Sequence, residues 1–165
     1  MNREELRTIQ LPLKQNYRDD PASATVTLHA DAQLGEGDVT CSVQTGRALV
    51  EAGLHPASGG SGAFACSGDM LLQALVACAG VTMRSVATNR GLEVSGTVRA
   101  EGDLDFRGTM AIDANAAVGF KEIRLSFELD SPASQDDLDA LLRTTERYCV
   151  VLQTLLSAPE IHVTR

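Results

Sequence analysis

The stretch SGDMLLQALVACAGVTMRSVATNRG, residues 67–91, decides the fold. Ser67 is positioned to cap a helix, Asp69 puts negative charge beside the free amides of its first turn, and Gly91 follows Asn89-Arg90 as a left-handed stop. Between Met70 and Val81 the only polar residue is Gln73, so the expected helix is not simply amphipathic; it is covered over most of its surface. Cys78, near its middle, is therefore expected to be buried or nearly so.

Working outward, the chain after Gly91 returns to strand. LEVSGTVRAEGDLDF (92–106) reads as a long strand with Gly96 as a bulge, and RGTMAID (107–113) as its continuation after a bend. GFKEIRLSFELD (119–130) alternates Ile123, Leu125, Phe127 and Leu129 with Arg124, Ser126 and Glu128, the pattern of a strand with one wet face. Residues 131–159 return to helix. Ser134 and Asp137 have capping-box spacing, and the segment reads as one helix or as two with a break near Tyr148. Pro159 ends it, and EIHVT (160–164) has the alternation of a short last strand.

Before the central helix, Asn2 and Glu5 have capping-box spacing over residues 2–18, with Pro12 expected to break or kink that helix and Asp19-Asp20-Pro21 to end it. Residues 24–34 and 39–45 read as a hairpin around the turn at 35–38. Residues 47–53 fit either a strand or a short helix, and 54–64 a flexible loop. Strand runs with helices gathered to one side give an α+β class rather than a βαβ relay.

Composition bounds the function. The 165 residues suit one domain, and a net charge of −8 without a Lys/Arg cluster argues against nucleic acid or an anionic membrane as partner. Glu4 and Glu5 stand where a signal peptide needs positive charge, and the apolar run 70–83 falls short of the ~20 residues of a membrane span, so a cytoplasmic location is expected. No spacing typical of metal ligands occurs among Cys41, Cys66, Cys78 and Cys149, and the scattered His29, His55 and His162 indicate no catalytic pair. Gly60-x-Gly62-x-x-Ala65 approaches a dinucleotide fingerprint, but no Asp or Glu lies between Asp69 and Glu93 to hold a ribose, so a linker is the better reading. By residue chemistry alone, Cys78 and Cys149 fit either small core fillers or a redox pair.

The segments MLLQALVACAGVTM (70–83), GLEV (91–94), EGDLDFRG (101–108), VGFKEIRLSFELD (118–130) and RYCVVLQTL (147–155), in that order, resemble the OsmC/Ohr family, the osmotically inducible and organic hydroperoxide resistance proteins. The resemblance covers about residues 24–164 and leaves 1–23 as an N-terminal extension. It implies an α+β domain, an antiparallel sheet wrapped around central helices, in an intertwined homodimer. It also implies a thiol peroxidase acting on organic hydroperoxides, with Cys78 as the peroxidatic and Cys149 as the resolving cysteine, no cofactor, and an external dithiol as reductant. The alternative is a catalytically inert protein of the same fold that binds an apolar ligand or a partner at the subunit interface.

The physics adds a demand. Cys78 lies about ten residues, ~15 Å, from the positive end of its own helix, too far for that dipole to activate it. The family uses an arginine held by an acid. Arg47 is the first choice for the cation, with Arg18 and Arg147 as alternatives, and a solvated loop charge is the plain reading of Arg47. Asp69 stands about where the family has its helix-start acid, but nine residues turn a helix by about 900° and place it opposite Cys78. Two departures from the family pattern stand out: Cys149-Val150 in place of Cys-Pro, and Cys66 where proline is common.

Overall fold

The computed structural model describes residues 2–25, 32–34, 40–45 and 48–165. Its contacts divide the chain into two compact units, one of Met1–Val26, Ala74–Arg99 and Ser126–Arg165, the other of Thr27–Gln73 and Ala100–Leu125.

The second unit begins with strands β1 (Ala32–Leu34), β2 (Thr40–Thr45) and β3 (Ala48–Gly53), which pair antiparallel in the order β1-β2-β3. Cys41 on β2 stands opposite Leu34 on one side and Ala52 on the other. The hairpin is as expected where it is described. Its turn and residues 26–31 lie outside the described residues, and Ala24, expected to open the first strand, instead closes a 3₁₀ turn over Pro21–Ala24. The ambiguity at 47–53 resolves as strand over the described part, Ala48–Gly53.

The segment expected to be a flexible loop is held at both ends. A 3₁₀ turn spans Pro56–Ser58, the His55 ring stacks on Phe106 at 4.9 Å, and Ala65 pairs with β3 through Ala65 N–H to Glu51 O and Gly53 N–H to Ala65 O, each 3.0 Å. Residues 107–113 do not continue the sheet. Asp105 caps a single turn of helix, α3 (Phe106–Thr109), by accepting the Arg107 N–H at 3.1 Å, and its carboxylate also takes the Arg107 guanidinium. That guanidinium holds the Asp105 carboxyl down to about 2. A residue that prefers to bond its neighbour's backbone ends the strand.

The central helix, α2, spans Ser67–Arg90. It opens one residue earlier than the capping pattern indicated: Ser67 is already helical, and the Cys66 carbonyl accepts the Met70 N–H at 3.0 Å. Its end is as read. Gly91 has φ 71°, and the Leu92 N–H to Ala87 O (2.9 Å) and Gly91 N–H to Thr88 O (3.1 Å) bonds close a Schellman motif.

Within the first unit, α2 buries Leu75, Ala79, Met83 and Ala87, one residue per turn, so a single stripe is fully covered, not most of the surface. Val81 is 72% exposed. Other apolar residues of α2, among them Leu72, Val76 and Val86, are half-buried among the described residues. By length and composition alone α2 is also long and apolar enough to cross a membrane, but its buried stripe faces a protein core. Met83, Ala87, Val94 and Leu141 form that core, with Val86, Leu92, Phe127, Leu129, Leu138 and Leu142 against it.

Strands β4 (Ser95–Leu104) and β5 (Phe120–Asp130) form a two-stranded sheet. Cross-strand contacts join Ser95 to Asp130, Arg99 to Glu128 and Asp103 to Arg124, the order of an antiparallel ladder. β5 alternates exposed and half-buried residues as its sequence indicates. Gly96 has φ 132°, and a Cβ there would lie 2.0 Å from the Glu128 carbonyl oxygen, so only glycine lets the strands meet at this point.

The two capped helices follow their sequence signals. Helix α1 (Arg3–Asp19) carries the complete Asn2/Glu5 capping box and runs through Pro12 without a break. The bond that proline cannot make is lost on an exposed helix, where water can serve the freed carbonyl. Helix α4 (Gln135–Tyr148) is capped by Ser134, and α5 (Val150–Leu156) follows after a break at Cys149. Residues 160–164 do not form the expected strand; Ile161 and Val163 are 75% and 92% exposed and have no ladder partner among the described residues.

Candidate functional site

Both cysteines singled out by sequence belong to the first unit. Cys78 is half-buried on α2, next to buried Ala79, and Cys149 is fully buried between α4 and α5. Both are free thiols, as is half-buried Cys66.

The break at Cys149 creates the site. Cys149 has φ −74° and ψ 106°, an extended conformation; its N–H still closes α4 on Thr145 O at 2.9 Å, and its carbonyl accepts the Gln153 N–H of α5 at 2.9 Å. One residue thus serves as C-cap of one helix and N-cap of the next. The first amides of α5 have no carbonyl a turn earlier to bond, and they carry the positive end of that helix.

The Val150 and Val151 amides of that end lower the pKa of the Cys78 thiol. Burial pushes the Cys78 thiol up, but the Val151 N–H, the Cys149 thiol, the Val150 N–H and the Thr82 hydroxyl all donate to it and together hold its pKa below the ordinary thiol value. Cys149 moves the other way: burial raises it, the Leu152 and Val151 amides only partly offset that, and the neighbouring Cys78 sulfur raises it further. The two adjacent thiols are shifted in opposite directions, Cys78 down and Cys149 up. The first can act as a nucleophile. The second can donate to it and later attack it.

The positive helix end acting on Cys78 is therefore that of α5, not of α2. Sequence reasoning measured only the distance along Cys78's own helix. The break before Val150 was the available signal, because a chain break next to a cysteine brings a fresh set of free amides to that cysteine.

The other expected residues are placed apart from this cluster. Arg47, with His29, lies outside the described residues. Arg18 sits on exposed α1 and reaches Gln15 Oε1 at 3.5 Å. Arg147 lies over the Tyr148 ring at 5.7 Å and lines, with Val150, Thr154 and Pro159, a hollow of about 450 Å³. Among the described residues, no cation acts on Cys78. Asp69 is exposed in the first turn of α2 and is not among the groups acting on the thiol. Thr82 was not singled out from sequence, although its position four residues after Cys78 puts it on the same helix face.

A model of the OsmC-like protein family matches residues 60–164. Solved structures resemble the chain over most of its length. An OsmC-like protein from Mycoplasma pneumoniae is 17% identical with a TM-score of 0.67, covering 81% of this chain and 89% of that one. An organic hydroperoxide resistance protein OsmC from Legionella pneumophila is 19% identical with a TM-score of 0.58, covering 81% and 92%. The organic hydroperoxide resistance protein OhrB of Bacillus subtilis is 14% identical with a TM-score of 0.53, covering 81% and 93%. At these identities the likeness is one of fold. No curated protein matches the sequence.

Proposed function

Since the chain belongs to the OsmC-like protein family and has its α+β fold, we propose that it is a thiol peroxidase reducing organic hydroperoxides, with Cys78 as nucleophile and Cys149 as resolving thiol. The observation that carries this reading is the meeting of Cys78 with Cys149 and the α5 amides. The Cys78 thiolate attacks the outer peroxide oxygen; the O–O bond breaks, the alkoxide leaves and takes up a proton as alcohol, and Cys78 becomes a sulfenic acid. Cys149 sulfur then attacks the Cys78 sulfur, the hydroxyl leaves with a proton as water, and a disulfide forms. An external dithiol returns two electrons and two protons, becoming a disulfide itself.

Ala77 and Ala79 flank Cys78 on α2, and Val150 and Val151 follow Cys149 on α5, so apolar chain borders both thiols. Such a wall favours an alkyl or aryl hydroperoxide over hydrogen peroxide, since each buried methylene contributes about 0.8 kcal/mol. In a dithiol-coupled assay, kcat/KM for cumene hydroperoxide should exceed that for hydrogen peroxide by about tenfold or more. Equal values for the two peroxides would sink the organic specificity.

Arg47 and Asp69 are proposed as a cation and its acidic partner assisting Cys78. The protein is proposed to act in the cytoplasm, where thiols stay reduced. It is also proposed to work as a homodimer. In the first unit, Val81, Tyr148, Val150, Leu156, Ile161 and Val163 are all more than 60% exposed, more large apolar surface than scattered residues on a monomer account for. Light scattering should give a mass near twice the 17.5 kDa of one chain; a monomer at micromolar concentration would contradict the dimer.

A further inference from the structure

Nothing in the sequence ERYCVVL (146–152) ends a helix by itself, since it holds neither glycine nor proline. Yet α4 stops at Tyr148 and α5 starts at Val150. In a continuous helix the Val150 N–H would bond the Glu146 carbonyl, four residues back. Here the Cys149 N–H bonds Thr145 O at 2.9 Å, Cys149 takes ψ 106°, and the ladder resumes with the Gln153 N–H on Cys149 O at 2.9 Å. The Glu146 carbonyl is left without its helical partner.

The Gln153 side chain takes that acceptor. Its Nε2 donates to Glu146 O at 2.9 Å, seven residues back and across the break. Other side chains near the junction bond only within their own helix: Thr144 donates to Ala140 O at 2.6 Å, Thr145 to Leu141 O at 2.9 Å and Thr154 to Val150 O at 2.8 Å. Among the described residues, Gln153 thus makes the side-chain hydrogen bond that ties α5 to α4. The carbonyl it occupies is the one the Val150 N–H would need to run the two helices together. Broken and continuous arrangements compete for one acceptor.

We propose that Gln153 is a positioning residue for Cys149: by occupying the Glu146 carbonyl it keeps α4 from running on into α5 and holds Cys149 in its extended conformation at the junction. A proline after Cys149 would hold the same break sterically, because it has no N–H and pushes its predecessor out of the helical region. Val150 does neither, and Gln153 supplies the hold by hydrogen bond. The consequence for resolving a Cys78 sulfenate rests on the peroxidase reading above; the hold on the break does not. One net hydrogen bond corresponds to a factor of about three to ten in the ratio of broken to continuous helix.

The test uses the full chain. Gln153→Met keeps the length and helix propensity of the side chain and removes the donor, Gln153→Ala is the second variant, and Val150→Pro is added to each. Gln153 is exposed, so both single variants should fold. The Cα chemical shift of Cys149, read by NMR without peroxide, should move toward its helical value in both and return when Val150→Pro is added. With excess cumene hydroperoxide and no dithiol, peptide mass spectrometry then reads how Cys78 divides between a disulfide with Cys149 and sulfinic acid. The sulfinic-to-disulfide ratio should rise about three- to tenfold in the single variants and fall back with Val150→Pro. Proline also removes an amide from the site, so the rescue is read on this ratio and not on the rate of peroxide consumption. An unmoved Cys149 signal or an unchanged ratio in the single variants overturns the proposal. So does a raised ratio that Val150→Pro leaves raised, which would assign Gln153 a role apart from the break. A wild type that forms neither product removes the peroxidase reading, while the Cys149 signal still decides the role of Gln153.

Discussion

Replacing Cys78 with serine is expected to lower dithiol-dependent reduction of organic hydroperoxides by about a thousandfold or more. The substitution keeps the size and direction of the side chain nearly unchanged, so α2 and the α5 amides should stay where they are. What disappears is the nucleophile. Hydrogen bonds from Val150, Val151 and Thr82 lower the thiol's pKa below its ordinary value, but the same donors cannot bring a serine hydroxyl anywhere near ionisation at neutral pH. Oxygen is also a poor nucleophile toward an O–O bond. Consumption of cumene hydroperoxide with excess dithiol measures the loss; turnover in Cys78→Ser within tenfold of the wild type would move the chemistry to another thiol, with Cys41, Cys66 and Cys149 remaining.

Leu141→Ala should destabilise the protein by about 3 kcal/mol, within the usual range for a buried leucine. Leu141 is fully buried and forms the α4 side of the core shared with Met83, Ala87 and Val94. Two of those neighbours, Ala87 and Val94, are small, and Ala87 is held within α2, so they fill little of the space. For a chain of this size such a loss lowers Tm by roughly 6–12 °C. The same core seats the α2 face opposite its exposed stripe, so the variant should also weaken the alignment of α2 with the α4–α5 junction. Thermal unfolding followed by circular dichroism decides it. A Tm within about 2 °C of the wild type would mean that this core is not what holds the first unit together.

Much of the fold was legible because its signals are local. Gly91 ends α2 as a residue that tolerates positive φ, Asn2 and Glu5 satisfy each other's amides, and β5 alternates because one face is covered. Asp105 shows the limit of such reading. Period-two patterning suggested that the chain after it remained strand, but a side chain able to cap its own downstream amide turned it into helix. The segment 160–164 has strand alternation and no strand, since a ladder needs an edge to pair with and alternation says nothing of where that edge is. The same distinction separates the two halves of the site. Cys78 and Cys149 were legible as a pair through the resemblance, and Thr82 could be read from helix spacing. The α5 amides could not be read that way: they donate across the fold, from a helix that exists as a separate element only because the chain breaks at Cys149.

The proposed function requires Cys78 and Cys149 to form one redox unit. Adding one equivalent of cumene hydroperoxide to the reduced protein, followed by acid quenching, alkylation and peptide mapping, tests it most directly. Two thiols per chain should be lost rapidly and a disulfide should join the Cys78 and Cys149 peptides, with Cys66 still alkylated. Four unchanged thiols, or a Cys78 oxidised to sulfinic acid with Cys149 still free, would contradict it.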